Sequence, residues 1–265
     1  MDGPNPDGRG EWKMQLSDKV VVVTGGGRGL GRAYCEAIAK QGASVVAADI
    51  RDTNATVDAV TSAGGQAIGL DLDVTDMESC QAMADAAVAT FGRIDCLVNN
   101  AALYGDIDGG RFNQIPETQW DRVMNVNIKG IWQCCKACVP AIQHAGGGSI
   151  INISSLAATY GMPYALDYAM SKAAVIGMTR SLARELGRNW IRVNAVAPSA
   201  VLTEGTSEYM GEKRDKALEV IAKNQSLQAN LETDDLVGTI IFLASDASKF
   251  ITGQTIMVDG GTTFL

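Results

Sequence analysis

The chain has a single histidine, His144, among 265 residues, no apolar run long enough to cross a bilayer, and no excess of positive charge. Each lack closes off a class of function. Without about 20 consecutive apolar residues there is no helix to span a membrane. With 22 basic against 30 acidic residues the formal net charge is −8. Such a surface repels a phosphate backbone, so no nucleic-acid partner is expected. Residues 1–11 read MDGPNPDGRGE, polar and rich in glycine and proline, with none of the apolar character of an export signal. Residues 1–15 are therefore expected to form a loose lead-in, and the chain is expected to be cytoplasmic, where thiols stay reduced.

The lone histidine limits two chemistries. Cys135 and Cys138 have C-x-x-C spacing, which could serve zinc or redox work. They lie in a helical stretch, IWQCCKACVPAI, with no second ligand pair. Packing is the expected role of these two and of Cys35, Cys80, Cys96 and Cys134, because a buried free cysteine behaves as a small hydrophobe, and no metal site is expected. A serine hydrolase would need His144 as its base. That residue sits in HAGGG, which reads as a helix exit and poorly suits a catalytic triad.

What the sequence does have is 46% hydrophobic residues and 20% charged ones, enough for one large core and too patterned for disorder. Short apolar runs recur at 20–24 (VVVVT), 44–49 (SVVAAD), 67–72 (AIGLDL), 94–99 (IDCLVN), 149–154 (SIINIS), 191–197 (IRVNAVA) and 255–258 (TIMV). Helical patterns fill most of the gaps, among them 30–40, 76–91 and 117–144. Continuous apolar strands separated by helices predict a parallel sheet of about seven strands covered on both faces, a doubly wound α/β domain over 16–265. Such sheets bind ligands beyond the carboxyl ends of their strands. The polar, weakly periodic stretch 199–230 interrupts the alternation and is expected to be a mobile lid over the site.

Between the first strand and the first helix stands Thr24-Gly25-Gly26-Gly27-Arg28-Gly29-Leu30-Gly31, a T-G-x-x-x-G-x-G pattern. Gly25 permits a tight turn. Gly29 and Gly31 let the backbone approach a pyrophosphate, and the helix that follows offers its free N–H groups to the phosphates. Asp49 ends the second strand, placed to accept both hydroxyls of an adenosine ribose. A 2′-phosphate at about 4 Å from that carboxylate would cost about 1–4 kcal/mol, depending on the local dielectric. NAD is therefore expected over NADP, although Arg28 and Arg51 could serve a 2′-phosphate if Asp49 turned away. Asp73-Val74, after the third strand, lies where the adenine should rest. Asn99-Asn100-Ala101-Ala102, after the fourth, lies where the cofactor should cross.

Tyr168 and Lys172 stand at i and i+4 on one helix face. A phenol with an ordinary pKa of about 10 is a poor base at neutral pH. The nearby ammonium and a cationic nicotinamide ring are expected to lower it, so that it can take a proton from an alcohol or give one to a carbonyl. Ser155 follows the fifth strand and could hold the substrate oxygen. Asn127 lies mid-helix, where asparagine is disfavoured unless its side chain has a task, such as holding a water that relays protons to Lys172.

Taken together, TGGGRGLG, Asp49, Asp73-Val74, NNAA, Asn127, Ser155, Y-A-M-S-K, Ala197-Pro198 with Thr203, and the late GQTIMVDGG resemble the short-chain dehydrogenases/reductases in their compact single-domain Rossmann branch, over about residues 16–265. The resemblance implies that Tyr168 is the acid/base, that Lys172 also binds the nicotinamide ribose, that Ser155 orients the substrate and that Asn127 completes a proton relay. It further implies that Pro198, Val201 and Thr203 attend the nicotinamide, and that the chain forms a homotetramer through helices near 121–144 and 168–186. Two positions depart from the family pattern, Ala102 and Ser199 standing where glycine is usual. The expected activity is NAD-dependent interconversion of a secondary alcohol and its ketone. A 3-oxoacyl-thioester reductase using NADPH is the rival, kept open by Lys213, Arg214 and Lys216. A dinucleotide sensor without catalysis would be expected to lack part of the set, which is complete here.

Overall fold

Valine-rich segments that are apolar on both sides can avoid water only in a sheet covered on both faces. The computed structural model, which describes residues 15–264, has such a sheet at its centre. Its strands are β1 (Val20–Thr24), β2 (Ser44–Asp49), β3 (Gln66–Asp71), β4 (Cys96–Asn99), β5 (Gly148–Ile153), β6 (Ile191–Pro198) and β7 (Thr255–Val258). The order is β3-β2-β1-β4-β5-β6-β7 and every pairing is parallel. All of β1 and β4 is buried, whereas the edge strand β3 alternates between exposed and half-buried residues. The order reverses between β1 and β4, so a crevice opens at their carboxyl ends.

Helices α1 (Gly29–Lys40), α2 (Asn54–Ser62) and α10 (Asp234–Ala244) cover one face, with Tyr34, Ile38, Val60, Leu236 and Ile240 packed on the strands. Helices α3 (Met77–Phe91), α5 (Gly130–His144) and α7 (Leu166–Leu186) cover the other, through Met83, Ile131, Ile142 and Val175. All six cysteines are free and buried. Cys135 and Cys138 belong to the second core, and no His/Cys/Asp/Glu group among the described residues is arranged to hold a metal. No described helix is long and apolar enough to cross a membrane.

Strands β1, β2 and β7 have the bounds read from the sequence, and the others shift by one or two residues at an end. Two departures are larger. The single helix expected over 117–144 is α4 (Glu117–Met124), a π-helical turn (Asn125–Lys129) and α5. Within the turn the Gly130 N–H reaches back five residues to Asn125 O. Periodicity is nearly blind to one inserted residue, and Asn127 marks its place. The stretch expected to be irregular, 199–230, holds α8 (Glu204–Met210) and α9 (Arg214–Asn224). Thr203 starts α8 by accepting a hydrogen bond from Thr206 N at 3.3 Å. A short polar helix exposed on most sides carries little periodic signal. The expected lead-in falls outside the described residues except for Gln15, whose N–H meets Gln41 Oε1 at 3.4 Å. The last short helix in chain order between β5 and α7 is α6 (Ala157–Tyr160).

Candidate active site

The glycine-rich turn after β1 can be built only from glycine at its critical points. Gly25 and Gly29 have φ of +66° and +53°, values a side chain resists. A Cβ on Gly31 would overlap the Gly25 carbonyl oxygen and the Asn100 side chain. The turn is pinned from β4: Asn100 Nδ2 donates to Thr24 O and Gly25 O at 3.0 and 3.1 Å. Thr24 Oγ1 accepts from the N–H groups of both Asn100 and Ala101 at 3.1 Å. Asn100 is thus a clamp on the glycine-rich turn, a role its place in the sequence did not disclose.

Asp49 is buried at the carboxyl end of β2. Its Oδ2 accepts from Gly27 N at 2.9 Å and its Oδ1 from Arg51 N at 3.0 Å. Two main-chain donors fix the carboxylate, and each oxygen keeps an acceptor site free. The alternative in which Asp49 turns aside would break both bonds. The two arginines that could welcome a further phosphate are themselves engaged. Arg28 Nη1 and Nη2 donate to both oxygens of Glu208 at 2.5 and 2.8 Å, and Arg51 Nη2 lies 3.4 Å from Asp106. Asp73 Oδ1 is turned onto Thr75, accepting from its N–H and hydroxyl at 2.8 and 2.7 Å.

At the far end of the crevice, Ser155 follows β5 and Tyr168 and Lys172 face it from α7. The Ser155 hydroxyl lies beside the Tyr168 phenol and accepts from Ala157 N at 3.1 Å. Lys172 Nζ donates to Ile153 O at 2.8 Å and lies 5.7 Å from the centre of the Tyr168 ring. Tyr104 packs at a tilt on Tyr168, ring centres 4.9 Å apart, and stacks on Tyr209 of α8 at 4.8 Å, so aromatic rings cover the phenol. The electrostatics differ from the expectation. Burial pushes the Tyr168 phenol up to about 12, only partly opposed by the Ser155 hydroxyl. Burial also pushes Lys172 down to about 8. Burial dominates both groups, raising the phenol and making the ammonium harder to keep charged, so the lysine alone does not bring the phenol into range.

Asn127 is fully buried. Its Oδ1 accepts from Leu103 N at 2.7 Å, and its Nδ2 donates to Leu103 O at 3.2 Å and to Ser171 Oγ at 3.1 Å. The amide is committed to the loop after β4 and to Ser171 of α7.

The residues assigned above to the dinucleotide and to the acid/base set line one cleft of about 860 Å³, whereas Asn127, Asn99, Lys213, Arg214 and Lys216 do not. At one end are Gly25, Arg28, Gly29, Leu30, Gly31, Asp49, Asp73 and Val74. In the middle are Asn100 and Ala101, and at the other end Ser155, Tyr168, Lys172, Pro198, Val201 and Thr203. The cleft fits a dinucleotide on three observations: a turn that excludes Cβ atoms, a helix N-terminus behind it, and a fixed carboxylate with spare acceptor sites at one end. His144 ends α5 and precedes the start of β5, whereas Ser155 follows that strand's other end. Six residues of strand separate them by roughly 20 Å, which leaves Ser155 without a histidine base. The residues that sequence reasoning missed are Glu208 and Tyr209, which reach the site across 180 and 41 positions from Arg28 and Tyr168. Only folding brings them there.

Comparison with known proteins agrees with this geometry. A family model described as enoyl-(acyl carrier protein) reductase matches residues 25–263. A Rhizobium meliloti (strain 1021) protein provisionally named galactose dehydrogenase is 40% identical over 249 residues, 93% of this chain and 95% of its own. A 3-oxoacyl-(acyl-carrier-protein) reductase of Thermotoga maritima is 38% identical over 250 residues, 94% and 99% of the two chains. A crystal structure from Sinorhizobium meliloti 1021, provisionally described as a short-chain alcohol dehydrogenase, superposes with a TM-score of 0.88 at 32% identity, covering 94% of this chain and 98% of that one. The chain belongs to the short-chain dehydrogenase/reductase family of oxidoreductases.

Proposed function

We propose that the protein interconverts a secondary alcohol and its ketone with NAD, using Tyr168 as the acid/base. The observation that carries this reading is the joining of Ser155, Tyr168 and Lys172 at one end of a cleft whose other end holds Asp49 fixed by Gly27 and Arg51. When bound, NAD+ supplies the hydride acceptor and a positive ring beside the phenol. Ser155 holds the substrate oxygen, and Tyr168 takes its proton in oxidation and returns it in reduction. Lys172, held by Ile153 O beside the Tyr168 ring, would bind the nicotinamide ribose and steady the phenolate. Pro198, Val201 and Thr203 border the nicotinamide, and Asn127 holds the loop that closes the site. Tyr104, Leu156 and Met162 give the substrate end an apolar and aromatic wall. The segment 199–230, carrying α8 and α9, acts as the lid. Exposed Trp132 on α5 and Met170 on α7 support a homotetramer built through those helices.

Replacing Tyr168 by Phe removes the transferred proton and little else. Turnover should fall by at least about 10²-fold, while NADH binding, followed by its fluorescence, stays near that of the parent. Near-normal turnover in Tyr168→Phe would remove the assignment. The rival reading, reduction of a 3-oxoacyl thioester with NADPH, draws on the Thermotoga maritima relative. It requires NADPH to be preferred, which the carboxylate of Asp49 opposes.

A further inference from the structure

Around Asp49 the charges are arranged in an unusual way for a site that handles anions. The side chain of Arg28 projects from the residue next to Gly27, whose N–H binds Asp49. It makes a two-pronged ion pair with Glu208 of α8 across 180 positions of sequence, the strongest geometry available to these groups. Glu208 lies close against Gly105, where a side chain would collide with its Oε2. The next residue, Asp106, faces Arg51, whose own N–H holds the other oxygen of Asp49. Glu204, at the start of α8, adds a carboxylate beside Gly29. Two arginines thus share the rim with four carboxylates: Asp49, Asp106, Glu204 and Glu208. The negative field of the acidic residues holds the Arg28 guanidinium more firmly protonated, with the Glu208 hydrogen bond the leading cause.

We propose that Glu208 and Asp106 are cofactor-specificity residues: by occupying Arg28 and Arg51 they deny a 2′-phosphate the cations it would need, and so reinforce the choice of NAD made by Asp49. This rests on the reading of the cleft as an NAD site. A ribose with free hydroxyls asks only for the acceptor sites of Asp49. A ribose 2′-phosphate adds nearly two negative charges and must compete with Glu208 for Arg28 or with Asp106 for Arg51, the arginines that flank Asp49. Asp49 accounts for a direct clash, whereas the paired arginines remove the means of relieving it. Because α8 supplies Glu208, selectivity is complete only when the lid lies on the glycine-rich turn.

The test is the ratio of dissociation constants for NADPH and NADH, measured by the fluorescence of the bound nicotinamide at fixed ionic strength. Both dinucleotides carry the same pyrophosphate, so the ratio isolates the 2′-phosphate. Glu208→Gln should favour NADPH by about two- to fivefold relative to the parent, the worth of one partly exposed ion pair. Asp106→Asn should do so by less, because its pair is longer. Arg28→Ala combined with Glu208→Gln should return the ratio to that of the parent. An unchanged ratio in Glu208→Gln, or a gain that survives the loss of Arg28, would overturn the proposal. If Glu208→Gln fails to fold, Asp106→Asn with and without Arg51→Ala makes the same test on the second pair. A parent protein that binds NADPH as tightly as NADH would sink the NAD reading itself. The shift on substitution is scored against the parent and is judged separately.

Discussion

Lys172 is a charge placed where a folded protein resists having one. It is 3% exposed, its ammonium donates a hydrogen bond to Ile153 O, and burial lowers it from 10.5 to about 8. In the unfolded chain it binds its proton up to about pH 10.5. Between about pH 8 and 10.5 the unfolded state therefore holds a proton that the folded state has released, and stability rises with pH across that window. Below about pH 8 both states are protonated, and the full cost is present. A shift of about 2.5 units corresponds to roughly 3 kcal/mol of lost stability at pH 7, declining to about 1 kcal/mol at pH 10.

Replacement by methionine keeps the length of the side chain and removes the charge. It also strands the Ile153 carbonyl, at about 1–2 kcal/mol independent of pH. Lys172→Met should thus be more stable than the parent by roughly 1–2 kcal/mol at pH 7 and slightly less stable at pH 10, while losing most turnover. Guanidinium unfolding of parent and variant at equal protein concentration, from pH 7 to 10, measures this; concentration must match because assembly would contribute. A difference that does not vary with pH would refute the argument that desolvation of this ammonium is the dominant effect. The same measurement separates Lys172 from Tyr168. The phenol is raised to about 12, so its contribution is complete below about pH 10 and is lost only as pH climbs from 10 toward 12.

Other outcomes follow from the same geometry. Gly31→Ala pushes a methyl into the Gly25 carbonyl, and NADH binding by titration should weaken roughly 10- to 100-fold. Asn127→Ala strands both main-chain groups of Leu103, and should cost about 2–4 kcal/mol in chemical unfolding. Tyr104→Ala uncovers the Tyr168 phenol, whose pKa should fall from about 12 toward its ordinary value near 10. The acid limb of kcat/KM for alcohol oxidation should then move to lower pH, and a limb that stays put would mean that Tyr104 does not cover the base in the working enzyme.

The sheet was legible because its strands are apolar at nearly every position, so burial on both faces left one architecture. The glycine-rich turn and Asp49 were legible because steric exclusion and charge act within a few residues of each other. The ionisation of Tyr168 and Lys172 was not. Spacing along a helix says that Tyr168 and Lys172 share a face, but whether an ammonium there lowers a phenol depends on how much water both retain. That is fixed by Tyr104 and Tyr209, which arrive from a loop and from α8. Asn127 teaches the same lesson in a different form. Its mid-helix position rightly signalled a task, yet the partners are the main chain of Leu103 and the hydroxyl of Ser171, contacts that no local pattern encodes. Local sequence specifies which groups a site contains; their protonation depends on the more distant segments that cover them. In this protein much of that cover is α8, the helix that also pairs Arg28, so movement of one short segment would alter both the acidity of Tyr168 and the charge offered to the cofactor.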